Sequence, residues 1–182
     1  MMTPPFPDKK YSVIYADPAW QHDGNFIPVR EKDQKYKTNP ADFYPTMPTL
    51  DICDLPVRDI ADTDCLLFMW ACSPMLEDAL QVGKAWGFDF KTVAFAWDKQ
   101  LCTSGFYTLS QVELCLVFKK GKIPQPRGKR NIKQFISARR GAHSVKPYEV
   151  RHRINEMFPH HEKIELFARE RFDGWDAWGN EV

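Results

Sequence analysis

The stretch that most constrains how this chain can fold is Val13-Ile14-Tyr15-Ala16-Asp17-Pro18-Ala19-Trp20. Val, Ile and Tyr in succession favour an extended, buried strand, and Pro18 forbids its continuation by locking φ and removing a donor. Asp17 is therefore expected at the carboxyl end of a strand, the edge where open α/β sheets bind their ligands.

An acid, a proline and an aromatic in that order suit a particular chemistry. The exocyclic amine of a nucleobase is a poor nucleophile, because its lone pair is delocalised into the ring. A carboxylate oxygen and the Pro18 carbonyl could accept both amine hydrogens and draw the nitrogen toward tetrahedral geometry. The Trp20 ring could stack on the base, as in pockets that receive unstacked bases. Taken alone, the tetrapeptide fits equally an apolar strand that ends in an Asp-Pro turn, with Trp20 in the core.

The 182 residues suffice for one domain, and a 43% hydrophobic, 14% aromatic composition with six Trp fits a globular fold rich in stacking surface. The chain is expected to be a single domain over 1–182. No apolar run has the length of a membrane span, and the Met1-Met2-Thr3-Pro4-Pro5 start lacks the features of a secretion signal, so a cytoplasmic location is expected. Cys53, Cys65, Cys72, Cys102 and Cys115 show no CxxC spacing, and His160-His161 has no acidic or cysteine cluster around it. Neither a disulfide framework nor a metal site is expected.

Charge is more informative in its distribution than in its sum. Overall the chain carries +1, yet residues 119–146 contain ten Lys and Arg and no acid, leaving the remainder at −9. Acid-free basic segments with Gly and Pro often follow a phosphate backbone, and this one lies inside the fold. Arg127, Lys129, Arg130, Arg139 and Arg140 are its candidate nucleic-acid contacts. The polar stretch 21–42 is expected to be a mobile loop beside the site, followed by Tyr44 and Met47, which return apolar groups to the same edge.

Along the chain the reading gives a first strand at 11–16, then a helix from a Thr49 cap through Leu55. A central strand follows at 64–70. Ser73-Pro74 is expected to cap a helix whose buried face is Leu76, Ala79, Leu80, Gly83 and Trp86, ended by Gly87. Further strands are expected at 88–97, 111–118 and 132–136, a helix at 147–158, and a last strand at 163–168. Strands alternating with helices imply an α/β fold with a mainly parallel sheet and helices on both faces.

Several stretches together resemble the mRNA (N6-adenosine) methyltransferase family. They are Ala16-Asp17-Pro18-Ala19-Trp20, Tyr44-Pro45-Thr46-Met47, Leu67-Phe68-Met69-Trp70, Glu113-Leu114-Cys115-Leu116-Val117, His143-Ser144-Val145-Lys146-Pro147, and Lys163 to Arg169 with Gly174-Trp175 and Gly179-Asn180-Glu181. The resemblance implies a Rossmann-like, S-adenosylmethionine-dependent domain with permuted motif order, in which the catalytic strand precedes the strand that anchors the cofactor. It implies that Asp17, Pro18, Ala19 and Trp20 form the catalytic motif. It also implies that Asp17, Lys146, Glu165, Phe167, Arg169, Arg171, Asn180 and Glu181 lie at or beside the cofactor.

Two positions depart from the family pattern: Ala19 stands where a second proline is usual, and Glu170-Arg171-Phe172 where relatives often carry His or Asn. The expected activity is methyl transfer to the N6 amine of adenine in nucleic acid, DNA ahead of RNA. Transfer to RNA adenosine, transfer to cytosine N4, or service as a silent nucleic-acid-binding partner are the alternatives. No membrane or metal partner is expected, and the oligomeric state is left open between monomer and homodimer.

Overall fold

Strand β1 (Tyr11–Ala16) lies between two parallel neighbours, β2 (Ala61–Ala71) and β6 (Lys163–Leu166), and all but one of its residues are buried. In the computed structural model, which describes residues 4–21, 46–103, 107–141 and 145–182, it is the third strand from one edge of a seven-stranded sheet. The other strands are β3 (Asp89–Thr103), β4 (Ser110–Lys120), β5 (Phe135–Ser137) and β7 (Asp176–Trp178), in the order β5-β3-β4-β2-β1-β6-β7. This is the α/β Rossmann-like architecture expected of the sequence.

The sheet is mixed, and the exception to its parallel character has a simple cause. Only the short connection 104–109 joins β3 to β4, which form an antiparallel pair, and β4 then lies antiparallel to β2. The remaining ladders, β1 with β2, β1 with β6, β6 with β7 and β3 with β5, are parallel.

Helices α1 (Thr49–Cys53), α2 (Val57–Ile60) and α3 (Leu76–Ala85) cover one face. There Ile52, Val57, Ala79 and Val82 pack on Leu67, Met69, Leu116 and Phe118. Helix α4 (Tyr148–Met157) covers the other, with Val150 and Ile154 against Val13, Tyr15, Phe68 and Trp70. A register irregularity between Tyr11 and Val13 places those two residues in different clusters, although ordinary alternation would give them one face.

Three local expectations are corrected. Thr49 is the first helical residue of α1 behind Pro48, and its hydroxyl hydrogen-bonds Asp78 Oδ1 at 2.7 Å instead of capping the helix. Ser73-Pro74-Met75 is a 3₁₀ turn, and α3 begins only at Leu76, without a side-chain cap. Its buried stripe is Ala79, Val82, Gly83 and Trp86, while Leu76 and Leu80 lie at the rim, 38% and 36% exposed. The stripe is narrow because α3 presses closely on β4: a Cβ at Gly83 would stand 2.3 Å from the Phe118 ring. Gly87 ends the helix as expected, at φ +85.

Strand β6 stops at Leu166 because Phe167 turns into left-handed backbone at φ 62, and β7 is a further strand beyond the one read as last.

Candidate active site

Asp17 leaves β1 at the carboxyl edge of the parallel strands. The register pairs Ala16 with Met69 of β2 and Leu166 of β6, and the Asp17 amide reaches toward Leu166 O at 3.5 Å. The chain then bends tightly, the Trp20 amide donating to the Pro18 carbonyl at 2.9 Å. Backbone bonds from Met47 N to Ala19 O (2.8 Å) and from Gln21 N to Met47 O (3.1 Å) lock the turn against Met47. Ala19 thus joins the motif to Met47 by its backbone, and Pro18 is itself buried.

The Asp17 carboxylate is held by Lys146, whose Nζ lies 2.8 Å from Oδ2. The same ammonium is 3.5 Å from Glu113 Oε2 and stands over the Trp70 ring at 5.6 Å. Glu113 follows in β4 just before Leu114, the partner of Ala71, and so shares Asp17's edge of the sheet. Its other oxygen, Oε1, accepts from Lys99 Nζ at 3.3 Å. A chain of alternating charge, Asp17–Lys146–Glu113–Lys99, runs across β1, the segment before α4, β4 and β3.

Electrostatics distinguish the two acids. Burial pushes the Asp17 carboxyl above its ordinary value, opposed by Lys146 and, more weakly, by Arg169. Burial pushes Glu113 up as well, but Lys146 and Lys99 together outweigh it and hold that carboxyl below its ordinary value. Burial raises the Cys72 thiol to about 11 and the Cys115 thiol far above its usual range, so neither supplies a thiolate near Asp17.

Two of the expected site residues are largely buried. Trp20 is only 6% exposed and belongs to the core, its indole N–H donating to Trp70 O at 3.3 Å. Glu165 is 5% exposed on the α4 side of the sheet. Arg151 Nη2 donates to its Oε1 at 2.8 Å, and Arg151 Nε lies 2.8 Å from its Oε2. Oε1 is hydrogen-bonded, whereas Oε2 is a buried oxygen with only the ion-pair contact and no hydrogen-bond partner. Burial raises the Glu165 carboxyl, with Arg151 opposing.

The other proposed cofactor residues gather on one turn. Phe167, at its left-handed position, packs edge-on against Trp178 at 5.5 Å, and the Ala168 amide donates to Trp178 O at 3.0 Å. A Cβ at Gly179 would meet Ala168 O at 2.3 Å, so only glycine lets residues 179–181 approach 167–169 this closely. Arg169 Nε and Glu181 Oε1 are 3.6 Å apart, and Asn180, Glu181 and Arg171 are exposed.

The basic segment does not act as one surface. Lys119 and Lys120 pair with Leu66 and Cys65 in the middle of β2, and Lys129 bonds backbone to backbone with Glu156 near the end of α4. Lys129 also forms an ion pair with Glu156, and the Arg127 guanidinium lies 5.9 Å from the Phe158 ring centroid. Arg127, Lys129 and Arg130 therefore occupy the end of the sheet opposite Asp17. Strand β5 then carries the chain along β3 to the other end, where the Arg140 amide donates to Lys99 O at 3.0 Å. Exposed Arg139 and Arg140 are on Asp17's side.

Tyr44 and most of the expected 21–42 loop lie outside the described residues. Among the described residues there is no group of three or more His, Cys, Asp or Glu placed to hold a metal, and no helix is long and apolar enough to cross a membrane. Glu113, Lys99 and Arg151 carried no role in the sequence reading. A lone acid inside the apolar run Val112 to Phe118 was the available signal for Glu113, and an arginine on the apolar face of α4 the signal for Arg151.

Comparison with known proteins agrees with this geometry. The MT-A70 family model matches residues 11–181. The chain is 47% identical over 188 residues to the Type II methyltransferase M.MunI from Mycoplasma sp, covering 98% of this chain and 81% of that protein. It is 27% identical to an N(6)-adenosine-methyltransferase MT-A70-like protein of Arabidopsis thaliana over 94% of this chain and 24% of that one. It is 24% identical to the human N(6)-adenine-specific methyltransferase METTL4 over 96% of this chain and 38% of that one. With Asp17 and the turn at 167–169 both at the carboxyl edge of a Rossmann-like sheet, the chain belongs to the MT-A70 family of methyltransferases.

Proposed function

We propose that this N6-adenine methyltransferase works on DNA, using Asp17 and the Pro18 carbonyl to hold the target amine. The observation that carries the reading is the placement of the Asp17 carboxylate, ion-paired to Lys146 at 2.8 Å, at the carboxyl edge between β2 and β6. An ionised acid accepts one amine hydrogen. The Pro18 carbonyl already accepts from Trp20 N, and its second lone pair is available for the other hydrogen. Both contacts localise the nitrogen lone pair, which makes the amine nucleophilic.

Asp17 acts by positioning and charge, not by prior deprotonation. A carboxylate of reference pKa about 3.9, even raised by burial, is too weak a base for a neutral aromatic amine. The proton becomes labile only after the nitrogen has gained its substituent, and Asp17 is then the adjacent acceptor. Fixed geometry of this kind can lower a barrier by about 7 kcal/mol or more.

Members of the family depend on S-adenosylmethionine, which when bound supplies an electrophilic methyl group on a sulfonium. The donor set beside Asp17 fits such a group: Arg169 and Lys146 are cations suited to an amino-acid carboxylate, and Asn180 and Glu181 are exposed polar groups suited to a ribose and an ammonium. Phe167 adds an apolar wall. Glu165, engaged by Arg151, instead anchors α4. The exposed position of Arg139 and Arg140 on the reactive side supports reading them as phosphate contacts; DNA ahead of RNA rests on similarity to a type II methyltransferase along nearly the whole chain.

The test is incubation of the protein with labelled S-adenosylmethionine and separate DNA and RNA oligonucleotides, followed by nucleoside analysis. N6-methyladenine in DNA is the expected product. Label in cytosine, in RNA alone, or in neither nucleic acid would overturn the reading.

A further inference from the structure

Lys99 is 5% exposed, and three ion pairs in series, Lys99–Glu113, Glu113–Lys146 and Lys146–Asp17, link its ammonium to Asp17. Among the described residues its ion pair is with Glu113. The turn it sits on is already fixed by Asp98, whose carboxylate accepts from Gln100 N at 2.9 Å, Gln111 Nε2 at 2.7 Å and Ser137 Oγ at 3.1 Å. Removing a lysine from water is costly, and an apolar residue in its place is often as stable or more so. A buried lysine is explained if its charge is used.

What that charge can do follows from the distances. Lys146 is shared between two carboxylates, 2.8 Å from Asp17 and 3.5 Å from Glu113, and Lys99 competes for Glu113 from 3.3 Å. The side chains of Lys146 and Lys99 are 10% and 6% exposed, so solvent screens these interactions little. The more Glu113 is neutralised by Lys99, the more of the Lys146 ammonium stays with Asp17. We propose that Lys99 is a positioning residue for methyl transfer, acting through Glu113 to set how Lys146 divides between Asp17 and Glu113. This rests on the reading of Asp17 as the acid that receives the target amine.

Among the described residues, the charged groups that bear most on Asp17 are Lys146, Glu113 and Arg169; Cys72 and Cys115 nearby have raised thiols, and Tyr15 a raised phenol. Glu165 is close enough to interact but is paired with Arg151. Within that set the two substitutions at the far end of the chain act in opposite senses. Lys99→Met leaves Glu113 to draw Lys146 away, so Asp17 ionises at higher pH. Glu113→Gln removes the competing carboxylate, so Asp17 ionises at lower pH.

The test uses the full-length protein in two measurements: titration of the Asp17 side-chain carbon by NMR, and the acid limb of kcat/KM for transfer to adenine-containing DNA. Each should move up in Lys99→Met and down in Glu113→Gln, because an opposite charge beside a carboxyl favours its ionised form and both variants change how much of Lys146 stays beside Asp17. Lys99→Arg should restore the wild-type position, and Lys99→Gln replaces the Met variant if that fails to fold. Shifts of the same sign, or no shift of Asp17, would overturn the proposal. Opposite NMR shifts without any transfer to adenine would sink the functional reading and leave the charge network standing.

Discussion

Arg151 and Glu165 face each other with two contacts of 2.8 Å, both side chains 7% exposed, and so tie α4 to β6 directly beneath the strand that carries Asp17. Breaking a buried pair by removing one partner costs about 3–5 kcal/mol, because the other charge is left uncompensated. Arg151→Met should therefore lower unfolding free energy by about 3 kcal/mol or more in a urea titration. Restoring much of the loss in the Arg151→Met, Glu165→Gln double variant would show that the stranded carboxylate, not poorer packing, was the cause.

Asp17→Ala removes the acceptor for the target amine while leaving Lys146 its contact with Glu113. Methyl transfer should fall by about 10²–10³-fold, the loss usual for a single preorganised electrostatic contact. Cofactor affinity, measured by calorimetry, should change far less than kcat. Equal losses in both would place Asp17 in cofactor binding instead.

Glu113 gives a stability profile with a defined sign. Its folded carboxyl lies below the ordinary value of 4.5, so it stabilises the fold above that pH, and the contribution is lost as pH falls through the lower folded value. Glu113→Gln should be less stable than wild type near neutrality, and the difference should shrink on acidification. Denaturant midpoints at a series of pH values between neutrality and the acid side check this.

The two ends of the basic segment should separate in DNA binding. Replacing Arg139 and Arg140 together by Ala should weaken binding and flatten the log–log salt dependence on duplex DNA by about 0.9 for each phosphate no longer neutralised. Replacing Arg127 and Lys129, on the opposite end of the sheet, should leave that slope where it was.

Gly83→Ala should destabilise by about 1–3 kcal/mol, the usual range for forcing an extra carbon into a packed core. The added methyl would sit 2.3 Å from the Phe118 ring, so α3 or that ring must shift. Thermal and urea unfolding of the variant measure it.

Much of this architecture was legible because the signals were local. An apolar run closed by Asp-Pro placed Asp17 at a strand end, and Gly87 ended α3 where a left-handed residue was needed. The site's partners were not local. Glu113 and Lys146 meet only because β4 lies beside β2, and Lys99 and Glu113 only through the β3–β4 pairing, contacts that no spacing encodes. Trp20 illustrates another limit: an aromatic beside an acid is equally a platform or a core residue, and its bond to Trp70 O, 50 residues away, is invisible to local pattern. Continuity in sequence is not continuity in space for residues 119–146, where β5 divides an unbroken run of positive charge between the two ends of the sheet. Three-residue β7 had too little pattern to register.

The pairing of β1 with β6 also has a consequence for synthesis. The strand that presents Asp17 near residue 17 is completed by residues 163–166, and the turn beside it by Trp178 and Gly179. Such long-range pairing forms late, after the loop between its partners has closed. A nascent chain that has not yet reached residue 163 has one neighbour for β1 and no finished edge around Asp17, so methylating capacity is gained only once residues 163–179 have been made and have docked.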